Sequence, residues 1–95
     1  GALEADLASV PDGAYRGRAK IGSFEYEVEA VGASGRLEAA RATVNRASPY
    51  ARWAEGVLAK AVRYGRNDVD AVTAATTTSK ALLKALEKAL SEGIR

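Results

Sequence analysis

The chain of 95 residues contains no cysteine, no histidine and no methionine. The first two absences exclude disulfide scaffolds, zinc clusters, thiol nucleophiles and catalytic triads that depend on histidine. Aromatic residues make up only 6% of the chain, which limits the side-chain volume available to a core. No apolar stretch approaches the roughly 18–20 residues of a membrane-spanning helix, and no signal peptide is recognisable. We therefore expect no metal site and no enzyme activity from this chain alone.

Length and charge limit the remaining classes of protein. A chain of 95 residues makes one domain, because two cores would each be too small. The 14 basic residues are nearly balanced by 12 acidic ones, and the two kinds alternate along the chain. Because a nucleic-acid surface needs its positive charge clustered, this pattern predicts no nucleic-acid partner.

Residues 15–30 predict a β-hairpin. Apolar or small residues alternate with charged ones on both sides of Gly22-Ser23, and a two-residue loop that begins with glycine suits a type II′ turn. A shift of one residue would destroy both patterns, so the register is well determined. It predicts three facing pairs of opposite charge: Lys20 with Glu25, Arg18 with Glu27, and Arg16 with Glu29.

A second turn at residues 32–35 leads to a third strand, in which Leu37, Ala40, Ala42 and Val44 are expected to face inward after a bulge. Ser48 then caps a predicted helix over residues 49–67, with proline at its first position. A stripe along this helix predicts core packing for Trp53, Val57, Ala61 and Tyr64.

The last predicted helix covers residues 79–91. Strands followed by helices indicate an α+β fold, a small antiparallel β-meander covered on one face by two main helices. Residues 12–95 form the single domain, and residues 1–11 form an N-terminal segment with room for one short helix.

Four threonines and a serine lie between residues 73 and 79, just before the last predicted helix. The first-turn amides of a helix have no acceptor within it and carry the positive end of its dipole, so a phosphate is stabilised there. The alternative for Thr76 is a hydroxyl that caps the helix. The alternative for Asp70 is an aspartate that forms a turn, and the alternative for Thr73 is a hydroxyl that bonds to the loop backbone.

Three segments carry a family resemblance: DGAYRGRA at residues 12–19, SGRLEAARATV at 34–44, and DVDAVTAATTTSKALLKAL at 68–86. Together they resemble the FMN-binding domains of the Rnf and sodium-pumping quinone oxidoreductase complexes. In that family a threonine in the signature Asp-x-x-(Ser/Thr)-Gly-Ala-(Thr/Ser) is joined to FMN through its phosphate, by a flavin transferase that uses FAD. Residues 70–76 lie on this signature, so the resemblance makes Thr76 the acceptor.

The resemblance implies a cofactor site around the signature. Thr78 and Ser79 match the hydroxyls that follow the acceptor, and Tyr50, at the start of the preceding helix, is a candidate to stack on the flavin ring. The implied cofactor-binding residues are Asp70, Thr73, Ala74, Ala75, Thr76, Thr78, Ser79 and Tyr50.

The implied function is that of an electron carrier with covalent FMN outside the cytoplasm, periplasmic or at the cell surface. Its partners would be a flavin transferase and redox proteins or a membrane electron-transport complex, with a tether supplied by a segment outside this sequence. Alanine replaces the signature glycine at position 74, and residues 45–50 lack the histidine of a segment that many members have. Two alternatives therefore stay open: a module of the same fold without flavin, and a domain that binds FMN noncovalently.

Overall fold

A computed structural model describes residues 9–65, 69–71 and 75–94, and within them three strands and three helices. The strands are β1 (Gly13–Ile21), β2 (Phe24–Ala33) and β3 (Arg36–Val44), which form one antiparallel sheet in the order β1-β2-β3. The helices are α1 (Pro49–Ala54), α2 (Gly56–Tyr64) and α3 (Thr76–Ile94). This architecture confirms the predicted α+β meander. The short helix predicted before residue 9 lies outside the described residues.

The predicted hairpin is confirmed residue by residue. Ile21 pairs with Phe24 around the turn, and Gly22 has the positive φ of 61° that a type II′ turn needs at its first position. The register places all three predicted charge pairs opposite one another. Two of them form direct contacts: Arg18 Nε lies 2.8 Å from Glu27 Oε2, and Arg16 Nε lies 3.3 Å from Glu29 Oε2.

Strand β3 carries the predicted bulge and a second one. The pairing with β2 shifts between Val31 and Gly32, and again between Glu27 and Val28. The second shift sets Val44 opposite Glu27, whose side chain belongs to the open face of the sheet. The expectation that Val44 faces inward was therefore wrong, and this side chain is exposed.

Helix α3 covers the inner face of the sheet and lies directly on β1. A Cβ atom at Gly17 would stand 2.2 Å from the carbonyl oxygen of Ala85 and from the amide nitrogen of Ala89. Only a glycine lets the strand and the helix backbone approach this closely. The core between them is completed by buried leucines of α3 and residues of β2: Leu82, Leu86, Leu90, Tyr26, Val28 and Ala30.

The helix predicted over residues 49–67 is divided at Glu55. The amide of Asn45 donates to the carbonyl of Ala51 and to the carboxylate of Glu55, both at 2.8 Å, and so holds the chain at the break. The two halves do not share one stripe, and the predicted core packing of Trp53 and Tyr64 was wrong. Both side chains are exposed, whereas Val57 and Ala61 are buried as predicted. The two halves of the helix contribute four residues to the core: Ala54, Val57, Leu58 and Ala61.

Helix α2 ends at Gly65, whose φ of 67° is the left-handed cap conformation typical of glycine. No helix within the described residues is both long and apolar enough to cross a membrane.

Candidate cofactor site

The last helix begins three residues earlier than predicted, with Thr76 as its first residue. The amide of Ser79 donates to the carbonyl of Ala75 at 2.9 Å, which is the first hydrogen bond of the helical ladder. The amides of Thr76, Thr77 and Thr78 precede it, so they have no acceptor within the helix and form the positive end of its dipole. Threonines are weak helix formers, which explains why the sequence pattern placed the start later.

Side chains at this helix start divide into an exposed pair and a buried set. Thr76 and Thr77 are exposed, whereas Ala75, Thr78 and Ser79 are buried. The buried residues fix the first turn against the core, and the two exposed hydroxyl groups remain accessible. Thr76 is therefore held in a defined place while its hydroxyl can meet a ligand.

A cleft of about 560 Å³ opens between this helix start and the chain that leads into α1. Its volume lies within the range of roughly 300–1,000 Å³ that is usual for small-molecule and cofactor sites. One wall is formed by Arg46, Ser48, Tyr50 and Ala51, and the other by Ala75, Thr76, Thr77 and Thr78.

The α1 wall is positioned by local hydrogen bonds and ring contacts. Ser48 accepts a hydrogen bond from the amide of Ala51 at 3.1 Å, so it is the N-cap that the sequence predicted. Tyr50 is 61% exposed, and its ring centroid lies 6.5 Å from that of Trp53. Tyr50, the predicted candidate for stacking on a flat ligand, lines the cleft.

Arg46 is a site residue that sequence reasoning missed. Its guanidinium lies 4.0 Å from the ring centroid of Phe24, at the β1–β2 turn, and it lines the cleft opposite the threonines. The contact depends on the pairing of β2 with β3, which brings the end of one strand beside the start of the other. No local pattern around residue 46 indicates it. The cleft thus combines a cation with a helix start, and no carboxylate among the described residues lines it.

Two further predicted site residues, Asp70 and Ser79, lie apart from the cleft walls. Asp70 is exposed, and its carbonyl accepts a hydrogen bond from Lys60 Nζ at 3.2 Å, which ties the segment before the helix to α2. Ser79 is fully buried and does not line the cleft. Thr73 and Ala74 lie outside the described residues, so their predicted roles stay predictions.

Two carboxylates with a lowered pKa lie on the open face of the sheet, away from the cleft. The Thr43 hydroxyl donates to Glu27 at 2.6 Å, and this bond, together with Arg18, lowers the pKa of Glu27. Arg41 and Arg16 likewise lower the pKa of Glu29. Both carboxylates are fully partnered, so they form a structural charge network. Within the described residues no group of three acidic side chains could hold a metal ion.

A second cleft of about 540 Å³ lies between the start of β3 and the end of α2. It is lined by Leu37, Val62, Arg63 and Tyr64, among others. The adjoining helix end is a C-terminus, where the dipole disfavours an anion. A phosphate ligand is therefore better placed in the first cleft.

A family model described as FMN-binding domain matches residues 14–91 of the chain. The chain belongs to the FMN-binding domain family. An uncharacterized protein of Treponema pallidum (strain Nichols) is 37% identical to this FMN-binding domain over 87 residues, which are 90% of the chain and 24% of that relative. The domain thus spans about a quarter of the relative's length. No solved structure matches it.

The first cleft fits the cofactor of this family. FMN combines a dianionic phosphate with a flat aromatic ring system. The cleft offers a helix start and Arg46 to the phosphate, and the exposed face of Tyr50 to the ring system. The sequence comparison confirms the predicted family and supports FMN as its cofactor. The lining of the cleft is consistent with this cofactor.

Proposed function

We propose that the domain is an electron-transfer unit in which FMN is held through a phosphoester to Thr76. One observation carries this proposal above all: Thr76 is the exposed first residue of α3 and lines the cleft that also holds Tyr50. Its hydroxyl is accessible to a transferase, and the phosphate it would carry falls at the positive end of the helix dipole.

The attachment step requires FAD and a flavin transferase. The Thr76 oxygen attacks the phosphorus of the FMN half of FAD, and the bond from that phosphorus to the bridging oxygen of the diphosphate breaks. AMP leaves with this oxygen, and the hydroxyl proton passes to a base of the transferase or to water. No oxidation or reduction occurs, so the product is a phosphodiester that links the threonine to the riboflavin moiety.

The residues of the cleft then have separate tasks. The amides of Thr76, Thr77 and Thr78 neutralise the phosphate, and Arg46 adds a positive charge on the opposite wall. Tyr50 offers its exposed face to the ring system. When bound, FMN supplies the electron-transfer chemistry, while the protein determines its exposure and potential.

The wider setting belongs to the same proposal. An electron carrier of this kind works between redox partner proteins or within a membrane electron-transport complex, and it needs no catalytic group of its own. Covalent attachment is most useful outside the cytoplasm, where a dissociated cofactor would be lost. We therefore place the domain in the periplasm or at the cell surface, tethered through a segment of a longer protein.

The test is intact-mass analysis after co-expression with a flavin transferase, followed by peptide mapping. We expect a mass gain of one FMN less one water, located on Thr76. Thr76→Ala abolishes the gain and keeps the circular dichroism of the wild type. Thr77→Ala is the matched control, because Thr77 is an exposed threonine of the same cleft and should leave the gain intact.

Three results would contradict the proposal of FMN linked covalently to Thr76. Flavin that copurifies but is released by denaturation would identify a noncovalent FMN binder. Absence of flavin, in cells where a family member used as control becomes flavinylated, would favour a module that has lost the cofactor. A mass gain that survives Thr76→Ala would show that another residue is the acceptor.

A further inference from the structure

Exposed apolar side chains are concentrated at the end of the domain that carries the cofactor cleft. The described residues expose six large hydrophobic side chains, and five of them belong to this end, with exposures from 38% for Val44 to 65% for Trp53. The five are Ile21, Phe24, Val44, Tyr50 and Trp53. The sixth, Tyr64, ends α2 and lines the second cleft.

Two contacts connect these side chains to residues that line the cleft. Ile21 and Phe24 flank the β1–β2 turn, and the guanidinium of Arg46 lies over the Phe24 ring while also lining the cleft. On the other side, Trp53 lies one helical turn beyond Tyr50 and in ring contact with it. We call Ile21, Phe24, Val44, Arg46 and Trp53, with the neighbouring Arg52, the cleft-mouth patch.

The charge of the patch is positive. Arg46 and Arg52 are exposed, and no described carboxylate lies within 4 Å of either guanidinium. The acidic side chains at this end are engaged elsewhere. Glu25 lies 3.9 Å from Arg18, and Glu55 accepts a hydrogen bond from Asn45. A partner with carboxylates around an apolar centre would complement this arrangement.

We propose that the cleft-mouth patch docks a redox partner protein whose contact surface is apolar with an acidic border, an inference that rests on the proposed electron-transfer function. A cluster of exposed large apolar side chains on a small domain indicates an interaction site, and tryptophan and arginine are among the residues that contribute most to protein interfaces. The patch borders the cleft from which electrons must leave. A protein bound there would lie close to the cofactor.

The test measures electron transfer from the flavinylated domain to two kinds of oxidant. The reduced domain is mixed by stopped flow with plant plastocyanin, an acidic protein acceptor, and separately with ferricyanide, which is too small to need a docking surface. Flavin content is measured first by intact mass, so a missing cofactor, which would contradict the proposed function, is distinguished from a docking defect.

We expect Trp53→Ala to lower the second-order rate constant with plastocyanin about tenfold and to leave the ferricyanide rate within about twofold. Tyr64→Ala, which removes an exposed aromatic side chain outside the patch, should leave both rates unchanged. The plastocyanin rate should fall with added salt, and Arg46→Gln together with Arg52→Gln should flatten that dependence.

Three results would overturn the docking proposal. Equal losses in Trp53→Ala and Tyr64→Ala would mean that the patch has no special role. Faster reaction with the basic acceptor cytochrome c, at a rate that falls with salt, would reverse the charge assignment. Sedimentation of the wild type, but not of Trp53→Ala, with vesicles of phosphatidylcholine and phosphatidylglycerol would assign the patch to a lipid surface instead.

Discussion

Replacement of Gly17 by alanine should strongly destabilise this domain, although the substitution adds only one methyl group. A Cβ atom at position 17 would lie 2.2 Å from Ala85 O and Ala89 N, and 2.8 Å from the carbonyl carbon of Lys88. Contacts below 3.0 Å essentially never occur for a real Cβ atom, and all three neighbours are backbone atoms that no rotamer change can remove. Helix α3 and strand β1 would have to separate by about 1 Å to accept the new methyl group.

The size of the effect follows from what that separation disturbs. Overpacking a core usually costs about 1–3 kcal/mol, and more where the backbone itself must move. Because α3 also carries Leu82, Leu86 and Leu90 into the same core, we expect a loss of about 3 kcal/mol in the free energy of unfolding. For a domain of this length that corresponds to a fall in Tm of roughly 12–24 °C. Thermal and urea denaturation followed by circular dichroism would measure it.

Gly32→Ala is the matched control for this substitution. Gly32 is also a buried strand glycine, but a Cβ atom there would meet the end of a side chain, Val10 Cγ1, at 3.3 Å. Its stability should change by no more than about 1 kcal/mol. Ala85→Gly should not rescue Gly17→Ala, because the clash is with backbone. A Gly17→Ala protein that melts within a few degrees of the wild type, or no earlier than Gly32→Ala, would refute the reasoning.

Two further predictions concern the sheet and the N-cap. The folded-state pKa of Glu27 is lowered, so the stability that its carboxylate contributes is present above its ordinary pKa near 4.5 and is lost as the pH falls through the folded value. The Tm difference between wild type and Glu27→Gln should therefore be largest near pH 7 and should shrink below about pH 4.5. A Tm difference that widens in acid would contradict this sign. Ser48→Ala removes the hydroxyl that caps α1 and should lower the free energy of unfolding by about 1 kcal/mol, measured by urea denaturation. Ser91→Ala is the control and should be neutral, because this exposed hydroxyl near the end of α3 only donates to the carbonyl of Glu87, four residues earlier in the same helix.

The sequence alone predicts the parts of this fold that local chemistry determines. The hairpin register is set by the alternation on either side of Gly22-Ser23 and by the opposite charges that it aligns, and the structure reproduces it at every pair. The N-cap at Ser48 likewise depends on a single residue with a strong preference. The C-cap of α2 at Gly65 uses the left-handed conformation typical of glycine, and it lies two residues before the predicted helix end at residue 67.

Distant contacts determine what the sequence pattern could not predict. The break at Glu55 depends on Asn45, ten residues earlier, whose amide donates to the carbonyl of Ala51 in the first helix and to the side chain of Glu55 at the break. Gly56 is the one local signal for a break, but a glycine within a helix is often tolerated. The exposure of Trp53 follows from that break, and the place of Arg46 in the cleft follows from strand pairing.

The position of the candidate site depends on contacts well away from it. Ala85 lies nine residues beyond Thr76 along α3, about 13 Å at the rise of an α-helix. Because a helix of 19 residues moves as a stiff body, the distance between α3 and β1 at Gly17 also determines where Thr76 meets the wall formed by Tyr50 and Arg46. The small residues that look featureless in the sequence thus contribute to the cofactor cleft as directly as the threonines do.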